Sequence, residues 1–123
     1  MARTGKFMET ILLSRDEIEW ESGKTVRVQG LLLGKGNCVD GGKCWLVTDW
    51  ESRNDPHMRL ALVPARVFVT LLDRLEAFGG GEYSLYYTAT ATGCVQSTAD
   101  GEVGLSVQEL AVKIDDDHVV IDL

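Results

Sequence analysis

Residues 64–81 read "PARVFVTLLDRLEAFGGG", and this stretch decides what the rest of the chain can be. Pro64 stands where a first helical turn begins, since its ring already holds a helical φ and its missing N–H has no helical partner there. Val67, Phe68, Leu71, Leu72, Leu75 and Phe78 then recur at three- and four-residue spacing, which lays them along one face of an α-helix. Gly79 to Gly81 end it, because glycine takes the left-handed conformation that caps a helix. This is the one clear helix, and everything around it reads as strand.

Upstream, "KTVRVQGLLLG" (24–34) alternates Val26 and Val28 with Arg27 and Gln29, then turns wholly apolar at Leu31 to Leu33. Gly30 sits at that change, where a glycine within a strand predicts a bulge or bend. "CWLVTDW" (44–50) is a second strand with Trp45 and Val47 on one face and Cys44, Leu46 and Thr48 on the other. Between the two lies "GKGNCVDGGKC" (34–44), which reads as a long, mobile connection. After the polar "ESRNDP", "HMRLALV" (57–63) gives a short third strand.

Downstream of the helix, "EYSLYYTATATGCVQ" and "EVGLSVQELAVKI" form two strands joined by "STADG", whose Asp100-Gly101 signals a hairpin turn. The alternation of Leu105 and Val107 resumes as Leu110, Val112 and Ile114, a phase slip near Glu109 that predicts a bulge. "HVVIDL" (118–123) closes the chain as a final strand. At the start, "METILLS" fits an additional strand, and Ser14 with Glu17 has capping-box spacing for a short helix reaching Trp20.

Three strands, the helix, then two strands, with a mid-strand glycine in the first and a hairpin leading into "GEVGLSVQEL" (101–110), resembles an oligonucleotide/oligosaccharide-binding (OB) fold over roughly residues 24 to 114. The fold class is mostly β with one clear helix: a small five-stranded barrel with extra N-terminal and C-terminal segments. Residues 1–123 read as a single domain, made of an extension (1–23), the barrel (24–114) and a last strand (115–123). The resemblance implies binding across strands two and three, flanked by the loops between strands one and two and between strands four and five. Those loops are then "GKGNCVDGGKC", with Lys35, Asp40 and Lys43, and "STADGE", with Asp100 and Glu102.

The composition agrees with one compact domain: 123 residues, 45% hydrophobic, are enough to bury a core without disulfides or a structural metal. Cys38, Cys44 and Cys94 are an odd number at low density, so reduced thiols are expected. The apolar run Met8 to Leu13, broken by Glu9, is too short for a signal sequence or membrane span, and a cytoplasmic chain is expected. The net charge is −7. Residues 1–62 carry nine basic and nine acidic side chains, whereas residues 63–123 carry three basic and ten acidic. Such a chain favours basic partners, although a locally neutral or basic face stays open to it.

Catalytic and cofactor motifs fare poorly. Aligned on Gly42-Lys43, a Walker loop would need glycine at Asn37, a hydroxyl at Cys44 and a helix after it, and all three fail. Cys38 and Cys44 have five residues between them, on opposite sides of a turn, which does not match paired zinc ligands. His57 lies near Ser52 and Asp55, and His118 follows Asp115 to Asp117, yet neither spacing defines an acid-base pair. No metal, cofactor or enzymatic activity is expected.

Aromatic and basic residues carry the functional expectation. Trp45 and Trp50 bracket the second strand, pointing to opposite faces if it is regular, and Tyr83, Tyr86 and Tyr87 start the fourth. Trp45 reads as core, Trp50 as a cap on the barrel, the tyrosines as its rim. The leading expectation is a non-catalytic binding protein that engages a protein, a basic one, through Lys35, Lys43, Trp50, Arg53, Arg59, Asp100 and Glu102. An immunity-type inhibitor masking a toxin is one concrete version, and a homodimer in which residues 1–23 swap between subunits stays open. The alternative is single-stranded nucleic-acid binding through Arg27, Lys35, Lys43, Trp45, Trp50, Arg53 and Arg59, with rings as stacking platforms.

Overall fold

A computed structural model describes residues 10–13, 20–37, 41–55, 58–63, 66–75, 85–98 and 101–123. In chain order the elements are β1 (Thr10–Leu12), β2 (Thr25–Asn37), β3 (Gly41–Val47), a 3-10 turn (Trp50–Ser52), β4 (Arg59–Val63), α1 (Arg66–Arg74), β5 (Leu85–Ser97), β6 (Val103–Ile114) and β7 (Asp117–Asp122). The strands β2, β3, β4, β6 and β5 pair in that order, and β5 pairs back onto β2. This closes a five-stranded barrel whose pairs are antiparallel except β4 with β6, which run parallel. Closure and the parallel third-with-fifth pairing are compatible with an OB-like fold. The two strands outside the barrel flank it: β1 lies parallel to β2, and β7 folds back on β6.

The helix is where its apolar spacing predicts. Val67, Phe68, Leu71 and the following Leu75 are buried, and α1 packs chiefly on β3. Phe68 enters the end of the barrel beside Leu85, and burying such a side chain stabilises by about 1.5–3 kcal/mol. Pro64 and Gly79 to Gly81, the expected start and stop, lie outside the described residues, as do Phe78 and the capping-box segment.

Phe68 also explains the glycine-rich stretch. The ladder of β2 and β3 runs on through Gly34↔Cys44, Lys35↔Lys43 and Gly36↔Gly42 to Asn37↔Gly41. The expected long connection is therefore mostly strand, and only residues 38–40, with Cys38 and Asp40, lie outside the description. A Cβ on Gly34 would come 2.9 Å from Leu85 and 3.1 Å from the Phe68 ring, and one on Gly42 would run into the Lys35 carbonyl across the ladder as well as the same ring at 2.7 Å. Glycine here makes room for a helix side chain within a strand pair.

At Gly30, where a bulge or bend was expected, the bulge is absent. The β2–β5 register passes through Gln29↔Thr90, Gly30↔Ala89 and Leu31↔Thr88 without a slip, so there is no bulge. A side chain there would instead collide with Leu13 and the Val47 carbonyl, where β1 gives way to β3 along one edge of β2. The predicted bulge in β6 is present: Glu109 faces Thr92 and Val107 faces Gly93, which leaves Gln108 unmatched. Its carbonyl accepts the Leu123 N–H at 2.9 Å, so the slip also seats the chain end.

Among the described residues, no helix is long and apolar enough to cross a membrane.

Candidate functional site: a covered barrel face

Strand alternation sends Cys44 and Leu46 into the barrel and Trp45 and Val47 outward. Outward residues of a small barrel ordinarily meet water, yet Leu33, Trp45 and Val47 are 0%, 8% and 0% exposed. They form a second apolar cluster with Leu31 and Ala61, separate from the main core. The row Tyr86, Leu33, Trp45, Ala61, Gly104 crosses five strands of the wall as successive Cα partners.

The cover comes from the β3–β4 connection. Asp49 caps the 3-10 turn, its Oδ1 accepting the Ser52 N–H at 2.9 Å. The Trp50 ring then lies 5.6 Å from Tyr86, at the β5 end of the row, with the planes tilted by 50°. Arg53 stacks 4.1 Å from the centre of the Trp50 ring and donates from Nη1 to the Trp50 carbonyl at 2.8 Å. Arg59, on β4, reaches the Arg53 carbonyl at 3.5 Å. A short turn thus straps the outer face from β5 to β4.

Arg59 locks the far end of the strap. Its Nε and Nη2 both donate to Glu102 Oε1, at 2.9 and 2.8 Å, while its guanidinium carbon sits 4.9 Å from the Trp45 ring centre. Both side chains are about four-fifths shielded, so this pair is screened less than a surface bridge. Glu102 is held in turn by its backbone: its N–H donates to Thr98 Oγ1 at 3.2 Å and its carbonyl accepts the Thr98 N–H at 2.9 Å. The β5–β6 turn thereby delivers a carboxylate to the third strand.

Of the residues expected at the site, Trp50, Arg53, Arg59 and Glu102 form one continuous chain of contacts. Lys35 and Lys43 are Cα partners and both exposed, with Lys43 two residues from Trp45 on the same face. Asp100 and His57 lie outside the described residues. Trp45 is corrected from barrel core to the covered outer face, and Trp50 shares that side because β3 ends at Val47 before Trp50 enters the turn. Tyr86, expected at the barrel rim with Tyr83 and Tyr87, is brought to this face by the β2–β5 register. Thr98 has no signal in the sequence and joins the site only through the hairpin geometry.

No family model matches the chain, and no curated protein or solved structure matches it.

Just beyond the strap, a cleft of about 140 Å³ opens between β3, β4 and the β5–β6 turn, with Lys43, Trp45, Ala61, Val63, Thr98 and Glu102 on its walls. Among the described residues, no three His, Cys, Asp or Glu side chains group to hold a metal ion. Cys44 faces the core, and burial pushes its thiol up to about 12 from an ordinary 9.0. It stays protonated and unreactive at neutral pH.

Proposed function

We propose that this chain is a non-catalytic binding protein that uses the rim of an OB-like barrel to engage a protein partner. The observation that carries the reading is the strap. It buries Trp45, the ring best placed for stacking on the barrel wall, and commits Arg53 and Arg59 to aromatic and carboxylate contacts of their own chain. What remains outward is Trp50, 37% exposed, and Tyr86, 47% exposed, with half-buried Arg53 stacked on the Trp50 ring. Trp, Tyr and Arg are the residue types that dominate protein-interface energetics.

A basic partner suits the charge distribution. Glu109, Asp115, Asp116, Asp117 and Asp122 are all exposed on β6, β7 and their turn, and would steer a cation-rich protein at long range. An immunity-type inhibitor masking a basic toxin is the concrete form of this proposal.

Affinity capture from source-cell extract tests it: a stoichiometric protein partner, retained after nuclease treatment, is expected with the native chain and lost with Trp50→Ala. Repeated capture of no protein would contradict the reading. Single-stranded nucleic acid remains the second reading, favoured by the exposed pair Lys35 and Lys43 near half-exposed Tyr86. It requires binding to a labelled oligonucleotide that falls steeply with salt and is weakened by Lys43→Glu.

A further inference from the structure

The cleft beside the strap has a cause in sequence. The parallel β4–β6 pair sets Ala61 directly against Gly104, two positions with almost no side chain, between the large Trp45 and Thr98. A Cβ on Gly104 would come 2.8 Å from Thr98 Cγ2, so the methyl of Thr98 already covers that glycine. The floor is apolar, made by Trp45, Ala61 and Val63. The rim is not.

Three polar groups stand on that rim with capacity to spare. Both hydrogen bonds that Arg59 donates to Glu102 end on Oε1, and Oε2 accepts none among the described residues. Thr98 Oγ1 accepts from the Glu102 N–H, which leaves its O–H to donate. The Lys43 ammonium makes no ion pair or hydrogen bond among the described residues. The cleft therefore offers one strong acceptor and two donors around an apolar floor.

We infer that this cleft is an anchor pocket for a phenol ring, the side chain of a tyrosine presented by the partner. This rests on the proposed protein-binding function and names the chemistry of its central contact. The volume suits a single ring, since an apolar cavity of about 150 Å³ holds benzene. A phenol hydroxyl donates to Glu102 Oε2 and accepts from Lys43 or Thr98, while the ring covers Trp45, Ala61 and Val63. The other side-chain types fit worse. A leucine or phenylalanine would desolvate Glu102 without returning a hydrogen bond. A lysine or arginine would add a cation beside Arg59 and Lys43, and a carboxylate would face Glu102. A primary amide satisfies the rim but leaves most of the apolar floor unfilled.

The test needs no partner. The full-length ¹⁵N-labelled chain is titrated with p-cresol, toluene and thymidine monophosphate while the Thr98 and Lys43 amides and the Trp45 indole N–H are followed by NMR. Saturable shifts at these groups are expected with p-cresol, with affinity about tenfold above toluene, the worth of one charge-assisted hydrogen bond. Ala61→Leu, which fills the floor at a half-buried position, should abolish the shifts while the rest of the spectrum keeps its dispersion. Lys43→Met, at an exposed position, should narrow the preference over toluene. No saturable shift, equal affinity for toluene, survival of binding in Ala61→Leu, or tighter binding of the nucleotide at the same groups would each overturn the assignment. Binding of p-cresol without capture of any protein would leave the pocket standing and contradict the protein-partner reading, so the two failures are distinct.

Discussion

Two outward faces of the same sheet have been treated in opposite ways. On β3, outward Trp45 and Val47 lie under the strap and are as buried as the core. On β5, outward Thr88, Thr90 and Thr92 carry no comparable apolar cluster, and in the same row as Thr90, beyond Ala111 of β6, Val120 on β7 is 53% exposed. Pairing and alternation are the same in both regions. The difference lies in what the following segment does: the β3–β4 connection returns across the wall and is anchored by Arg59 and Glu102, while β5 runs directly into the β6 hairpin. A barrel wall becomes a second core only when a neighbouring loop carries its own rings and charges back onto it.

Breaking the covered face should cost far more than breaking the open one. Trp45→Ala is expected to lower stability by about 3–5 kcal/mol, read as a shift of the urea midpoint, despite its outward direction on the strand. Thr90→Ala, at the middle of the open face, should stay within about 0.5 kcal/mol. Equal small effects would mean that the strap does not seal the wall.

The anchor comes next in size. Arg59→Met leaves the Glu102 carboxylate without its cation in a shielded position and should cost about 1–3 kcal/mol. Hydrogen exchange separates this from a general loss: the Ser52 and Arg53 amides, which bond within the turn, should exchange faster by a larger factor than amides of the β5–β6 ladder.

The two described thiols sharpen the same contrast between inside and outside. Cys44 is buried against the core while Cys94 is only partly shielded, so an alkylating reagent should modify Cys94 first in the folded chain and Cys44 only after denaturation. The sign of the pH dependence follows from the raised thiol. The unfolded chain gives up this proton near 9.0 and the folded one near 12, so the contribution of Cys44 is intact below pH 9 and is lost progressively between those values. Cys44→Ala should flatten stability over that alkaline window. The smallest effect is expected at Val120, where Val120→Ser should shift the midpoint by no more than about 0.5 kcal/mol.

Much of the fold was legible because it depends on local periodicity. The three- and four-residue spacing from Val67 to Leu75 marks α1, and the slip after Val107 marks the bulge at Gln108 within a residue of its place. The glycines of residues 34–44 misled because a glycine that makes a turn and one that admits Phe68 look alike until the helix is docked. The site was partly legible. Trp50, Arg53, Arg59 and Glu102 are the right residue types near the right strands, but Arg59 and Glu102 are 43 residues apart and meet only through the parallel β4–β6 pairing. Trp45 could not be placed from alternation, which says that it opposes Leu46 but not which side another segment covers.

Whether the strap covers the outer face is read by hydroxyl-radical footprinting of the native chain. Rapid oxidation of Trp50 and Tyr86 with Trp45 protected is expected, and loss of that protection in Arg59→Met. Oxidation of Trp45 in the native chain as fast as Trp50 would contradict it.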